Sequence, residues 1–191
     1  GLVRACLRLG PAAHAVVAGP PGSGRTTALA TLARAAEPTA SVVWVAVRPG
    51  APAVPTGRDV TVIAVDDPHL DQALDQPGPL VALIDDADLI PGDHPVLASV
   101  ARDRRPHRHV VAAARNDRLR GAYAHWLAEV RVDRCGLLLH PDTDLDGDLL
   151  GVRLPRRAPV APAPGWGWLA GGPVEGYVQV ARPVSPAAAD P

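Results

Sequence analysis

The stretch VVAGPPGSGRTTAL, residues 16–29, decides how this chain folds. Glycines at 19, 22 and 24 lead into a cation, Arg25, and two hydroxyls, Thr26 and Thr27. This is the G-x-x-x-x-G-cation-hydroxyl spacing of a phosphate-binding loop, with arginine where lysine is usual. Gly19, Gly22 and Gly24 permit left-handed backbone angles that turn N–H groups inward, and Pro20, Pro21 and Ser23 complete the loop. The helix expected over RTTALATLARAA, 25–36, presents its positive end to the same point. Residues 19–27 are therefore the expected phosphate contacts, and Thr26 stands where a hydroxyl would hold Mg²⁺. The bland alternative is a Gly-Pro turn between strand and helix.

Arg25 is the departure from the pattern. A guanidinium is wider than an ammonium, planar, and prefers bidentate pairing. Phosphate binding can survive the exchange, whereas alignment of a transferring phosphoryl group is expected to suffer, and that alignment is most of the catalysis. All 19 basic residues are arginine, the repertoire of a very GC-rich genome, so mutational bias is one origin for Arg25.

A phosphate loop needs a metal-holding acid at the end of a nearby strand. LVALIDDADLI, 80–90, offers five apolar residues followed by Asp85 and Asp86. Asp85 fits the Mg²⁺ position. Asp86 occupies the place of the glutamate that polarises attacking water in many ATPases, one methylene too short. A strand ending in ordinary surface acids would read the same way. The doublet Asp66–Asp67 is the decoy: its apolar run is shorter and Pro68 follows directly.

Around these motifs, apolar runs alternate with helical stretches, which predicts an α/β fold with a mainly parallel sheet flanked by helices. Strands are expected at RACLRL (4–9, a leading edge strand), HAVVAG (14–19), SVVWVAV (41–47), VTVIAVDD (60–67), the LVALI run, HVVAAA (109–114) and CGLLLHP (135–141). Helices are expected at 25–36, after Pro68, over DHPVLASVARDR, and over RLRGAYAHWLAEV (118–130), with a short helix or turn in DTDLDGDLLG. RPGAPAVPTGRD (48–59) and the Pro-rich RLPRRAPVAPAPG read as connections. WGWLAGG and VEGYVQVAR predict a short antiparallel pair closing one sheet edge, and residues 184–191 a frayed tail, leaving one domain over 1–183.

The totals set limits. With 191 residues, 47% of them apolar, the chain can bury one real α/β core, and an aliphatic one, since Phe and Met are absent. A net charge of −1 argues against a large nucleic-acid face. No run reaches the ~18 residues of a membrane span. The chain opens on Gly1, so it is expected to be a piece of a longer protein. Cys6 and Cys135 lack metal spacing and are expected to be reduced core residues of a cytosolic domain.

Four stretches together resemble the FtsK/SpoIIIE family of P-loop motor ATPases, and within it the last ATPase domain of actinobacterial type VII secretion ATPases of the EccC kind. They are HAVVAGPPGSGRTTAL (14–29), LVALIDDADLI (80–90), HVVAAARND (109–117) and GLLLHPDTDLDGDLLGVRLPRR (136–157); PGWGWLAGGPVEGYVQVA (164–181) is similar to the family's closing strand pair. The resemblance implies a RecA-like P-loop sheet, ATP with Mg²⁺, and a membrane-anchored parent whose sister ATPase domains form rings at the cytoplasmic face of the cell membrane. It implies small helical WXG-type secretion substrates as partners. It also implies a polar Thr-Gln sensor at the end of the 109–114 strand, where this sequence has Ala114 and Arg115. With Arg25 and Asp86 that is a third departure, and it predicts nucleotide binding with weak or absent hydrolysis.

Other residues carry less. Arg102, Arg104 or Arg105 could reach a neighbouring subunit's nucleotide, but a solvated helix end is the favoured reading. His107 and His109 have no further ligand nearby. Arg118 and Arg120 are expected in exposed ion pairs, and Trp126, Trp166 and Trp168 in packing, with base stacking open for one of them. Two competing functions stay open: an active DNA translocase module, and an interaction domain that has lost nucleotide altogether.

Overall fold

A computed structural model describes residues 5–48, 60–156 and 163–181. Eight strands form one sheet in the order β3-β2-β4-β5-β1-β6-β7-β8. Their ranges are β1 Ala15–Ala18, β2 Ser41–Ala46, β3 Val60–Ala64, β4 Leu80–Ile84, β5 Arg108–Ala114, β6 Gly136–Leu139, β7 Trp166–Ala170 and β8 Gly176–Gln179. The first six strands in that order pair parallel; β7 and β8 join antiparallel at the far edge. The mainly parallel α/β sheet with a C-terminal antiparallel pair is the architecture the sequence predicts.

Both faces of the sheet are covered, which is why its central strands are apolar throughout. β4 shows the consequence: Leu80, Ala82 and Ile84 enter one core, Val81 and Leu83 the other. Helix α1, Arg25–Ala36, covers one face with small residues, Ala28, Ala30 and Ala33, beside Leu29. Those small side chains bring the helix axis close to the strands, and fully buried Trp44 fills the volume they leave. The opposite face carries α2 Leu70–Leu74, α3 Pro95–Arg102, α4 Asn116–Arg120 and α5 Leu127–Arg131. Among the described residues no helix is long and apolar enough to cross a membrane.

Three expectations are corrected. Residues 5–9 form no strand: Leu7 and Leu9 still pack on the α1-side core, but β6 is paired on both sides, by β1 and β7, and leaves no edge there for them to join. The helix expected over 118–130 is two helices, α4 and α5. Gly121, which costs about 1 kcal/mol in a helix interior, ends the first. Trp126 then donates its N–H to the Gly92 carbonyl at 3.0 Å instead of continuing a helical ladder. Finally, Cys6 is exposed, not a core residue, while Cys135 is buried. The tail at 184–191 and most of the two connections lie outside the described residues.

The two thiols give a first test. Burial pushes the Cys135 thiol up to about 11, and thiolate is the reactive form. Iodoacetamide at about pH 8 is expected to alkylate Cys6 in the native protein and Cys135 only after denaturation. Equal labelling of both, read by mass spectrometry, would mean that the segment leading into β6 opens.

Candidate functional site

The C-terminal ends of β1, β5 and β4 lie side by side, with Ala18 in register with Ala114 and Ala112 with Ile84. Loops leaving the carboxyl ends of parallel strands converge there, the usual place for a ligand in an open α/β sheet. The glycine loop leaves β1 and the two acids leave β4, with β5 between them. The decoy Asp66–Asp67 follows β3, four strands and about 19 Å from β1. Asp67 there receives the backbone N–H of His69 at 2.8 Å.

Gly22 has φ 78° and Gly24 φ 100°, both left-handed. Gly24 is the N-cap of α1, and the first intrahelical bond runs from the Ala28 N–H to its carbonyl at 2.9 Å. The first-turn N–H groups of Arg25, Thr26 and Thr27 thus have no carbonyl one turn behind them and point out of the helix end. The base of the loop is fastened on two sides. Gly19 donates its N–H to the Ala114 carbonyl at 3.2 Å, and Gly165, just before β7, donates to the Ser23 carbonyl at 2.8 Å. Ser23 is fully buried, and its hydroxyl has no hydrogen-bond partner among the described residues.

The Thr26 hydroxyl donates to Asp85 Oδ2 at 2.7 Å. The other carboxylate oxygen of Asp85 accepts the Asp86 N–H at 3.0 Å. Burial raises the Asp85 pKa, and it outweighs the opposing hydrogen bond from Thr26 and charge of Arg25. A raised carboxyl pKa favours folding below the ordinary aspartate value, and that contribution disappears as pH rises through the raised one. A cation beside Asp85 would offset the burial penalty of the ionised form. Among the described residues no three His, Cys, Asp or Glu side chains cluster as a metal cage. Two hard oxygens on neighbouring elements do fit Mg²⁺, which takes one or two protein ligands and fills its shell from phosphates and water.

Arg25 is engaged within the chain. It donates from Nη1 to the Gly19 carbonyl at 2.9 Å and from Nη2 to Asp86 Oδ1 at 3.0 Å. Asp86 is left-handed at φ 49°, a conformation aspartate tolerates, in the turn after β4. Its second oxygen lies 3.3 Å from Nε of Arg48, just beyond β2. Sequence reasoning overlooked Arg48; its signal was position, one strand away from the acid-bearing end of β4.

At the sensor positions, Ala114 is fully buried and offers only a methyl group. The Arg115 side chain pairs with Asp117, through Nε at 3.0 Å and Nη2 at 2.7 Å. The basic cluster sits near the amino end of β5, the edge of the sheet away from the loop. There Arg104 pairs with Asp133 at 2.7 Å and Arg105 with Asp75 at 2.8 Å. Arg120 is not in an exposed pair as expected: its partner Asp146 is buried. Trp166 stacks on Tyr177 at 4.7 Å, Trp168 meets the same ring edge-on at 4.9 Å, and Trp126 is buried beside His125.

No family model matches the chain, and no curated protein matches it in sequence. Solved structures do share its fold. The cytoplasmic domain of the type VII secretion ATPase EccC of Thermomonospora curvata matches with TM-score 0.61 and 16% identity, over 91% of this chain and 24% of that one. EssC (ATPases 2 and 3) from Geobacillus thermodenitrificans matches with TM-score 0.68 and 14% identity, over 88% of this chain and 37% of that one. A further solved ATPase gives TM-score 0.62 and 18% identity, over 91% of this chain and 80% of that one. The fold is therefore that of the P-loop ATPase domains found in type VII secretion ATPases. This chain spans only about a quarter to two fifths of the EccC and EssC chains, which are larger assemblies of such domains.

Proposed function

We propose that this chain is a nucleotide-binding domain of a type VII secretion ATPase of the FtsK/SpoIIIE kind, taking ATP with Mg²⁺ and hydrolysing it weakly or not at all. The observation that carries the reading is the Thr26–Asp85 hydrogen bond at the open end of α1. It brings the loop hydroxyl and the strand-end acid together across an intervening strand, as a shared metal would require. The loop N–H groups and Arg25 hold the phosphates, Thr26 and Asp85 the metal, and Mg²⁺ when bound neutralises phosphate charge.

Weak turnover follows from what surrounds the site. Asp86 is tied to two arginines, one on each carboxylate oxygen, so neither oxygen is left open to orient an attacking water. Ala114 has no polar group for a terminal phosphate, and Arg115 is turned to Asp117. In this reading the domain, residues 1–183, serves assembly beside sister ATPase domains of a longer, membrane-anchored chain, in a ring at the cytoplasmic face. There it engages small helical secretion substrates. A second reading, an interaction domain without nucleotide, draws support from Arg25 being already occupied.

Calorimetric titration with ATP–Mg²⁺ separates them. Binding is expected for the wild type and to weaken about tenfold or more in Arg25→Ala, the loss of a charge-assisted phosphate contact. Arg25→Lys is expected to retain binding and to gain phosphate release in a turnover assay. Absence of heat in all three proteins would leave the interaction domain.

A further inference from the structure

We propose that Asp86 is a built-in competitor for phosphate, and that Arg48 is a second phosphate-binding residue released in the same exchange. The inference rests on the nucleotide reading above and deepens it. One carboxylate oxygen of Asp86 takes Arg25 at 3.0 Å, and the other faces Arg48 at 3.3 Å. A carboxylate and a phosphate present the same kind of acceptor to a guanidinium. The cation of the loop is thus already neutralised by an anion that the chain itself supplies.

The pair is well placed to be closed. The Arg25 side chain is 12% exposed and that of Asp86 24%, so solvent screens them only partly. Arg25 is also anchored by the Gly19 carbonyl, and that bond holds its guanidinium across the first residue of the loop. Swinging toward a phosphate in the loop therefore means surrendering Asp86. Arg48 is 65% exposed and can follow either anion at little cost. Polyphosphate binding becomes an exchange of anions: Asp86 gives up both arginines, and the ligand takes them. The apparent affinity is the intrinsic one multiplied by the fraction of molecules with the pair open.

The same geometry gives Asp86 a role other than that of a shortened catalytic glutamate. It sets how much polyphosphate is needed to open the site, and it favours ligands carrying enough charge to repay the lost ion pair. A polyphosphate therefore outcompetes a monophosphate, and the base contributes little to the exchange.

A double-mutant cycle distinguishes exchange from plain repulsion between Asp86 and an anionic ligand. Inorganic pyrophosphate and ATP–Mg²⁺ are titrated calorimetrically into the wild type, Asp86→Asn, Arg25→Ala and the double variant. Asparagine also tolerates the left-handed turn, so the loop after β4 is kept. Asp86→Asn is expected to tighten pyrophosphate about tenfold in the wild-type background and less than about twofold in Arg25→Ala. In the Asp86→Asn background, Arg48→Ala is expected to weaken binding about threefold. Equal tightening in both backgrounds overturns the exchange and leaves repulsion, with nucleotide binding intact. No tightening at all overturns it too. If no variant binds either ligand, the inference falls together with the nucleotide reading. An unchanged affinity for Arg48→Ala removes Arg48 from the proposal.

Discussion

Asp146→Ala is expected to destabilise the protein by about 3 kcal/mol and to lower its thermal midpoint by about 9 °C. Asp146 is 1% exposed, yet it carries a full set of partners. Oδ2 accepts from Asn116 Nδ2 at 2.5 Å and from the Asp142 N–H at 2.8 Å, while Oδ1 accepts from Arg120 at 2.5 Å. Alanine would strand an amide, a backbone N–H and a guanidinium at once, and such orphaned groups cost more than the bonds that they made. Arg120 is 38% exposed and can turn to water, which keeps the loss at the lower end for a broken buried pair. Asp146→Asn retains one acceptor oxygen and should cost about half as much; Arg120→Met leaves the buried carboxylate without its counter-charge and should cost about 2–3 kcal/mol. These bonds join the segment after β5 to the segment after β6, and those strands flank the loop strand β1. ATP affinity should therefore fall with the midpoint. A midpoint within about 2 °C of wild type would show that packing of Leu149 and Leu150 suffices to hold the segment.

This anchor was not legible in the sequence, and the reason is physical. An acid in DTDLDGDLLG looks like any polar turn residue, because its partners, Asn116 and Arg120, come from a helix 26 to 30 residues earlier. The loop and the parallel strands were legible because their signals are local. Gly22 and Gly24 mark positive φ, and β4 is apolar along its whole length because it is buried on both faces. Helix α1 falls on the expected residues 25–36, since its start is set by the loop and its apolar face by spacing alone. The edge was misread at 5–9 because alternation reports one buried face and says nothing about whether a neighbouring strand is free.

The candidate site divides in the same way. The motif spacing brought out Thr26 and Asp85, and their juxtaposition follows from parallel strands ending at one edge. The Arg25–Asp86–Arg48 arrangement depends on a left-handed turn at Asp86 and on β2 lying beside β4. Neither can be read from a run of residues. The Gly165 contact with the loop is more remote still, 142 residues from Ser23 in sequence (165 minus 23) and created by the closing antiparallel pair.

That contact motivates the remaining prediction: Gly24→Val is expected to abolish measurable ATP binding and to lower stability by about 3 kcal/mol. Gly24 has φ 100° and ψ 24°, a region that a β-branched residue scarcely enters. A Cβ there would also sit 3.2 Å from Gly165 N and 3.5 Å from its Cα. Those atoms cannot retreat freely, because the Gly165 N–H is committed to the Ser23 carbonyl at 2.8 Å. The loop must then move away from the closing pair, and with it the N–H groups proposed to bind the phosphates. Gly22 supplies the control. Its φ is 78°, but a Cβ there meets nothing within 4 Å among the described residues. Gly22→Ala and Gly24→Ala incur a similar backbone cost of about 1–2 kcal/mol, so the difference between them isolates the pressure of the closing pair on the loop. Thermal unfolding and ATP titration of both alanine variants are expected to show Gly24→Ala the worse in each. Equal losses would mean that the loop holds its shape without the C-terminal pair, and that the Gly165 bond only docks that pair to the sheet.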